Sequence, residues 1–404
     1  MRTRVKLILL LAIVCIINSC SIVKHTIYLG QGENHTDGFI DTVHFETNYG
    51  LPIVFLSING SEEHYKFLFD MGATTTIISS ELSEKLELEP VYHFKSTDSQ
   101  GKTIKHEYVK IDSLKIGNTK FYGFVAGETI YPENSILRCV LPDGIIGANI
   151  MKGLIWQIDY ENERIIFSDD LKNYNILDKT PIIRMSRKPP SSCPYITVSK
   201  NGEKIRGLIF DTGSNGGISI PLSKKNNYEL SVKLIDQSTQ GLFGAGADTV
   251  YISDNQTINI GSIEMDNVPV EYNYRGKKNI GNAFLNNFLV TADFQSRNIY
   301  LDPNQTIAFD RKDFFGYGFS CSIVDSSVIV SSLYENSPAE LAGIQINDTI
   351  AILNNLPINS YFDNYCGFYT WLYEFRKSNE PITIRIKGKD ETISMTPGDY
   401  IKND

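Results

Sequence analysis

The chain is predicted to be a mainly β protein built from short strands, with one structural unit present twice. Three observations predict this. Runs rich in Val, Ile, Tyr and Phe, bounded by Asn-Gly, Gly-Asn and Asp-Gly turns, fill most of the sequence. Long helical periodicities are scarce. A set of landmarks recurs in the same order in two stretches of the chain. Strands are expected at Ile53 to Ile58, Lys66 to Phe69, Val109 to Ile116, Leu154 to Ile158 and Ile205 to Phe210. Short helices are expected at Ser80 to Leu88, after Pro338, and around Phe362 to Arg376.

Composition narrows the chemistry. The 404 residues suggest two or three domains at about 150 residues each. With 42% hydrophobic and 21% charged residues, the chain has the make-up of a soluble globular protein. A net charge of −9 and the lack of a basic block argue against a nucleic-acid partner. All six histidines lie at or before His106. A Ser-His-Asp, Cys-His or His-rich metal site would therefore have to draw on the N-terminal quarter. No HExxH or CxxC spacing occurs. Carboxylates, hydroxyls and backbone remain as the candidate chemistry, with no metal or cofactor expected.

The N-terminus carries an address. Arg2, Arg4 and Lys6 precede an apolar run from Leu7 to Ile17, too short to span a bilayer comfortably and suited to a secretory signal. Ile17-Asn18-Ser19-Cys20 resembles a bacterial lipobox, with Asn18 an unusual choice at its position. That resemblance implies a lipoprotein signal peptide over 1–20, lipidation at Cys20, export to the cell envelope, and membrane contact through the lipid anchor only. The absence of Asp after Cys20 leans towards the outer membrane over other periplasm-facing placements. An ordinary signal peptide with a coincidental cysteine is the alternative. Residues 21–45 read as a polar, weakly patterned tether. Cys139, Cys193, Cys321 and Cys366 remain in the folded part, where three pairings are open.

The repeat is specific. Asn59-Gly60, then Phe67-Leu68-Phe69 and Asp70-Met71-Gly72-Ala73, is echoed by Asn201-Gly202, Leu208-Ile209-Phe210 and Asp211-Thr212-Gly213-Ser214. Val109-Lys110-Ile111 running to Ile116-Gly117 is echoed by Val250-Tyr251-Ile252 running to Ile260-Gly261. Ile146-Gly147 precedes Asp159 as Ile280-Gly281 precedes Asp293. A single Asp-x-Gly is an everyday turn. Two of them at equivalent positions of a duplicated unit can bring two carboxylates together. Such a pair cannot ionise twice cheaply and shares one proton. One carboxylate then takes a proton from water while the other protonates a peptide carbonyl. Glycine beside each aspartate lets backbone approach closely.

These residues resemble the pepsin/retropepsin superfamily of aspartic proteases over roughly residues 46–310. The carriers are Phe69-Asp70-Met71-Gly72-Ala73-Thr74, Phe210-Asp211-Thr212-Gly213-Ser214, Ile145-Ile146-Gly147 and Gly281-Asn282-Ala283-Phe284-Leu285. The resemblance implies Asp70 and Asp211 as a catalytic dyad supported by Gly72, Thr212, Gly213 and Ser214. It also implies two retropepsin-like β-barrel lobes, 46–178 and 179–310, forming a pepsin-like bilobal unit with a cleft between. Three positions depart from the pattern. Asn279 stands where a hydrophobic residue is usual, Met71 lacks the hydroxyl that would cross to the other lobe, and Ala73 faces Ser214. With Met71 the cross-lobe hydrogen bonds can be made from one side at most, which loosens the dyad, and the hydroxyl missing at Ala73 favours a raised pKa near Asp70 and activity at mildly acid to neutral pH. Ser99-Gln100-Gly101-Lys102 and Gly241-Leu242-Phe243-Gly244-Ala245-Gly246 fall where substrate-covering flaps would lie, although plain surface loops would read the same.

After Pro303 the character changes. Gly316-Tyr317-Gly318-Phe319, a strand at Val328 to Ser332, and Ser337-Pro338-Ala339 running to Gly343 resemble a PDZ domain over 311–400, with Asn347 where Gly is usual. This implies that the Gly316, Tyr317, Gly318 and Phe319 loop binds a peptide carboxylate while the peptide adds a strand. The expected whole is an exported aspartic endopeptidase acting on peptide or protein substrates, with PDZ-assisted recognition. The alternative is a catalytically inactive peptide-binding lipoprotein that uses the same cleft and PDZ domain.

Overall fold

A computed structural model describes residues 21–34, 38–132, 135–222, 232–304 and 314–400. The expected signal segment and Cys20 lie outside the described residues, as do residues 311–313 of the expected C-terminal domain. Among the described residues no helix is long and apolar enough to cross a membrane.

The fold is mainly β, as predicted. Strands β1 (Ile40–Asn48), β2 (Leu51–Ile58) and β3 (Tyr65–Phe69) form an antiparallel meander. Strand β2 is nearly continuous in apolar residues because both of its faces are buried. The β2–β3 turn sets Asn59 at φ 50° and Gly60 at φ 75°, and its counterpart sets Asn201 at 48° and Gly202 at 81°. Both central residues thus sit in the left-handed region that Asn-Gly tolerates best. After β4 (Ile77–Ser79) comes helix α2 (Ser80–Lys85), with Ser79 Oγ accepting from Leu82 N–H. A long antiparallel meander of β5 (Pro90–Thr97), β6 (Thr103–Ile116) and β7 (Thr119–Thr129) follows. Helix α3 (Leu137–Val140), β8 (Gly144–Ile146), β9 (Ile155–Asp159) and β10 (Arg164–Ser168) complete the first repeat.

The second repeat runs through β11 (Ile182–Arg184), β12 (Tyr195–Lys200), β13 (Glu203–Phe210), β14 (Ile218–Pro221), β15 (Val232–Gly241), β16 (Gly244–Ile260), β17 (Ile263–Asn273), β18 (Asn279–Ile280), β19 (Phe288–Asp293) and β20 (Asn298–Pro303). Its topology copies the first. Strand β8 lies parallel to β3 and antiparallel to β4, and β4 lies parallel to β7. Likewise β18 lies parallel to β13 and antiparallel to β14, and β14 lies parallel to β17. The repeats join through β9 and β19, where Gln157 pairs with Thr291, its counterpart 134 residues on. One hydrophobic core runs through both, with Trp156, Phe167, Phe210 and Phe288 deep inside it.

The tether expectation needs correction. Residues 21–30 are helical (α1) and β1 begins at Ile40. Helix α1 is docked on the first sheet: His25 and Leu29 are buried, His25 stacks on Phe94 at 3.7 Å, and His25 Nδ1 lies 3.0 Å from Tyr92 Oη. The buried residues are one turn apart, which turns a polar-looking stretch into an amphipathic helix once Tyr92 and Tyr108 are there to receive it.

The C-terminal unit has its own core, centred on Val330, Phe368 and Ile384. It comprises β21 (Phe315–Gly316), β22 (Phe319–Val324), β23 (Ser327–Tyr334), helix α4 (Pro338–Leu341), β24 (Thr349–Leu353), helix α5 (Tyr365–Arg376), β25 (Ile382–Ile386) and β26 (Thr392–Met395). Ser337 caps α4 and Asn364 caps α5, each accepting a backbone N–H from the first turn. Links between this unit and the repeats include a strand pairing and a disulfide. Strand β15 pairs with β23, Ile235 opposite Leu333, so one sheet runs from the second repeat into the C-terminal unit. Cys139 of α3 is disulfide-bonded to Cys366 of α5, while Cys193 and Cys321 are buried free thiols.

Candidate active site

Each aspartate sits at the end of a strand whose neighbour holds the turn. Asp70 N–H donates to Ile146 O at 3.0 Å and Ala148 N–H to Ala73 O at 2.8 Å. In the second repeat Asp211 N–H donates to Ile280 O at 2.9 Å and Asn282 N–H to Ser214 O at 2.8 Å. The downstream glycines are required by this closeness. A Cβ on Gly147 would stand 2.5 Å from the Thr75 carbonyl carbon, and one on Gly281 2.5 Å from Gly216 O.

The two turns meet face to face. Asp70 and Asp211 bring their carboxyl groups side by side, an Oδ1 of each lying within 3.1 Å of where a Cβ on Gly72 would stand. A Cβ on Gly72 would stand 2.6 Å from Asp211 Oδ1, and one on Gly213 2.3 Å from Asp70 Oδ2, so neither position can carry a side chain. Gly72 and Ala73 N–H donate to Asp70 Oδ1 at 2.7 and 3.1 Å. Asn279 Nδ2 donates to Asp211 Oδ2 at 2.9 Å. Burial pushes the Asp70 carboxyl well up from the ordinary carboxylate range, and the charge of Asp211 adds to it. Burial also raises Asp211, opposed first by the Lys277 ammonium and then by the Asn279 amide.

Contacts between the repeats hold this geometry. Thr212 is fully buried; its Oγ1 accepts from Met71 N–H at 2.9 Å and donates to Phe69 O at 2.8 Å. Met71 turns its side chain into the core and offers no reciprocal hydroxyl. Two contacts absent from the sequence reading reinforce the Met71 side: Thr74 Oγ1 donates to Ser191 Oγ at 3.1 Å, and Cys193 Sγ donates to Gly72 O at 3.2 Å. Asn282 Nδ2 donates to Thr212 O at 2.8 Å while its Oδ1 accepts from Tyr160 Oη at 2.8 Å. Asn279 departs from the superfamily pattern, which was its available signal, while Asn282 lies in the run that carries the resemblance and was not singled out. Ser191 and Cys193 carried no sequence signal.

Both expected flaps are hairpin tips, and they touch. Asp98 Oδ1 accepts from Gln100 and Lys102 N–H, shaping its own turn, while its Oδ2 accepts from Phe243 N–H at 2.9 Å. A Cβ on Gly241 would stand 2.5 Å from that Oδ2. Phe243 packs on His106 at 4.8 Å, and Arg275 donates to the side chain of Gln100. A cavity of about 500 Å³ opens instead beside α1, between Tyr28, Val91, Lys110 and Phe124, and does not include the carboxylates. The Gly316 to Phe319 loop belongs to the C-terminal unit. Tyr317 and Phe319 are buried there, Tyr317 stacking on Phe375 at 5.1 Å, and Gly318 packs against Ser337.

Residues 54–150 match the family described as Aspartyl protease. The matched segment contains Asp70, Gly72 and Gly147 and ends before the second repeat. It supports a protease-like function for that part of the chain. No curated protein matches the chain.

Proposed function

We propose that this chain is an aspartic endopeptidase in which Asp70 and Asp211 form the catalytic dyad and share one proton. The observation that carries the reading is the pair of adjacent carboxyl groups, delivered by equivalent turns of two repeats whose expected flaps are touching hairpin tips. A peptide entering under the tips would place its carbonyl at the pair, with water activated by one carboxylate and the carbonyl oxygen protonated by the other. Because burial raises both carboxyls, the singly ionised pair persists to higher pH than two exposed aspartates would allow. The expected optimum is mildly acid to neutral.

The C-terminal unit fits a PDZ-type peptide-binding role. Strand β22 pairs with β23 along one side, and α5 packs beside it through Phe375, leaving among the described residues an edge suited to strand addition. The exposed Ile22, Val23 and Ile27 on α1 would suit a body held close to a membrane by a lipid at Cys20. The alternative of a peptide-binding cleft without catalysis is favoured by one observation, the absent hydroxyl at Met71. Cleavage of oxidised insulin B chain between pH 3 and 8, compared with Asp70→Asn and Asp211→Asn, decides between them. Cleavage abolished by either substitution supports the dyad; cleavage surviving in both refutes it, and none at any pH favours the binding role.

A further inference from the structure

The dyad is not symmetric: Asp70 Oδ1 accepts from Gly72 and Ala73 N–H, Lys277 acts on Asp211, and one side-chain asymmetry sits at Asn279. Strand β18 occupies in the second repeat the place of β8 in the first, so Asn279 and Ile145 are counterparts. Both are buried, at 2% and 8% exposure, and Ile145 presents no polar atom to Asp70. Asn279 instead donates from Nδ2 to Asp211 Oδ2 at 2.9 Å, while its Oδ1, also buried, has no partner among the described residues. A buried amide with an orphaned carbonyl costs stability, so an apolar residue would be the cheaper choice in this strand. Its N–H is held towards Asp211 Oδ2, an arrangement that favours the ionised carboxylate over the protonated one.

From this geometry, and resting on the proteolytic reading above, we infer that Asn279 is a positioning residue that fixes the negative charge of the pair on Asp211 and leaves the shared proton with Asp70. The roles then follow. Water oxygen bonds to the carbonyl carbon, its proton passes to Asp211, and the proton of Asp70 passes to the carbonyl oxygen. When the diol collapses the C–N bond breaks, the proton on Asp211 goes to the amine nitrogen, and a diol hydroxyl proton returns to Asp70. Among the described residues, the ionisable groups acting around Asp211 include Asp70 across the pair, Lys277 ahead of β18, and Cys193 ahead of β12. The Asn279→Ile substitution changes none of them.

The test is the pH dependence of kcat/KM for oxidised insulin B chain with the full chain and its Asn279→Ile variant, which installs the residue tolerated at the counterpart position. Loss of a donor to a carboxylate raises the first ionisation of the pair. The acid limb should move up by about 1–2 pH units while the basic limb stays, so that the bell narrows. Asn279→Ser, expected to shift the same limb in the same direction, covers the case in which the isoleucine variant does not fold. A ¹³C titration of the aspartate carboxyls reads the same ionisation without turnover. If the wild-type chain cleaves nothing, the proteolytic reading fails and the titration still decides the role of Asn279. An unchanged first ionisation, or a shift confined to the basic limb, overturns the inference.

Discussion

Removing the Thr212 hydroxyl should pull the two aspartate turns apart. Thr212→Val keeps the shape of the side chain but strips the oxygen that accepts from Met71 N–H and donates to Phe69 O. Both partners lie in the core, where water cannot replace the lost bond. An orphaned buried N–H costs about 1–3 kcal/mol; the carbonyl, with a second lone pair, costs less, so the total is about 2–4 kcal/mol. Thr212→Ser retains the hydroxyl and should recover most of it. The chain has two tryptophans, and Trp156 lies 5.3 Å from Phe69 in the core beneath the dyad. In a Trp371→Phe background its fluorescence reports unfolding at this place, and urea unfolding should start at clearly lower concentration for Thr212→Val than for Thr212→Ser. Indistinguishable curves for the valine variant and the parent would refute the claim that this single hydroxyl carries the cross-repeat link that Met71 cannot supply.

Three further outcomes are expected. Asp98→Ala removes the acceptor for Phe243 N–H at the touching tips, and hydrogen exchange of the peptide spanning Leu242 to Gly246 should rise about tenfold; unchanged exchange would show that the tips are held by other contacts. Cys139→Ser with Cys366→Ser frees α5 from α3, and loss of a disulfide of this kind costs about 2–4 kcal/mol. The Trp371 transition should therefore fall below that of Trp156 in the double variant. His25 is buried and its pKa is lowered by desolvation to about 4, from 6.5 when α1 is undocked. Between those values the undocked state binds more protons than the docked one, so docking weakens as pH falls from 6.5 towards 4, by about 1.4 kcal/mol per unit. Amides of residues 21–30 should lose protection at pH 4.5 relative to pH 7 after correction for intrinsic exchange, and His25→Phe should abolish that difference.

What could be read in the chain beforehand was what local chemistry decides. Asn59-Gly60 and Asn201-Gly202 announce their hairpins because both residues of such a turn need positive φ, and Ser337-Pro338 announces a capped helix for reasons internal to five residues. The docking of α1 was not readable, because His25 and Leu29 form an apolar stripe only against Tyr92, Phe94 and Tyr108, brought there by a distant hairpin. The Cys139–Cys366 pairing, across 227 residues, depends on where the C-terminal unit sits, and no spacing rule encodes that. The site lies between these cases. Its carboxylates stood out because the unit is duplicated, since each Asp-x-Gly means little until the other is laid beside it. The same comparison, pressed one strand further, sets Asn279 against Ile145. A departure from an apolar pattern reads as a blemish in one sequence and as a choice in a pair, because the repeat supplies its own control: the same fold position, equally buried, works without the amide. The structure adds the distance that turns this difference into chemistry, an N–H 2.9 Å from one carboxylate and absent from its twin.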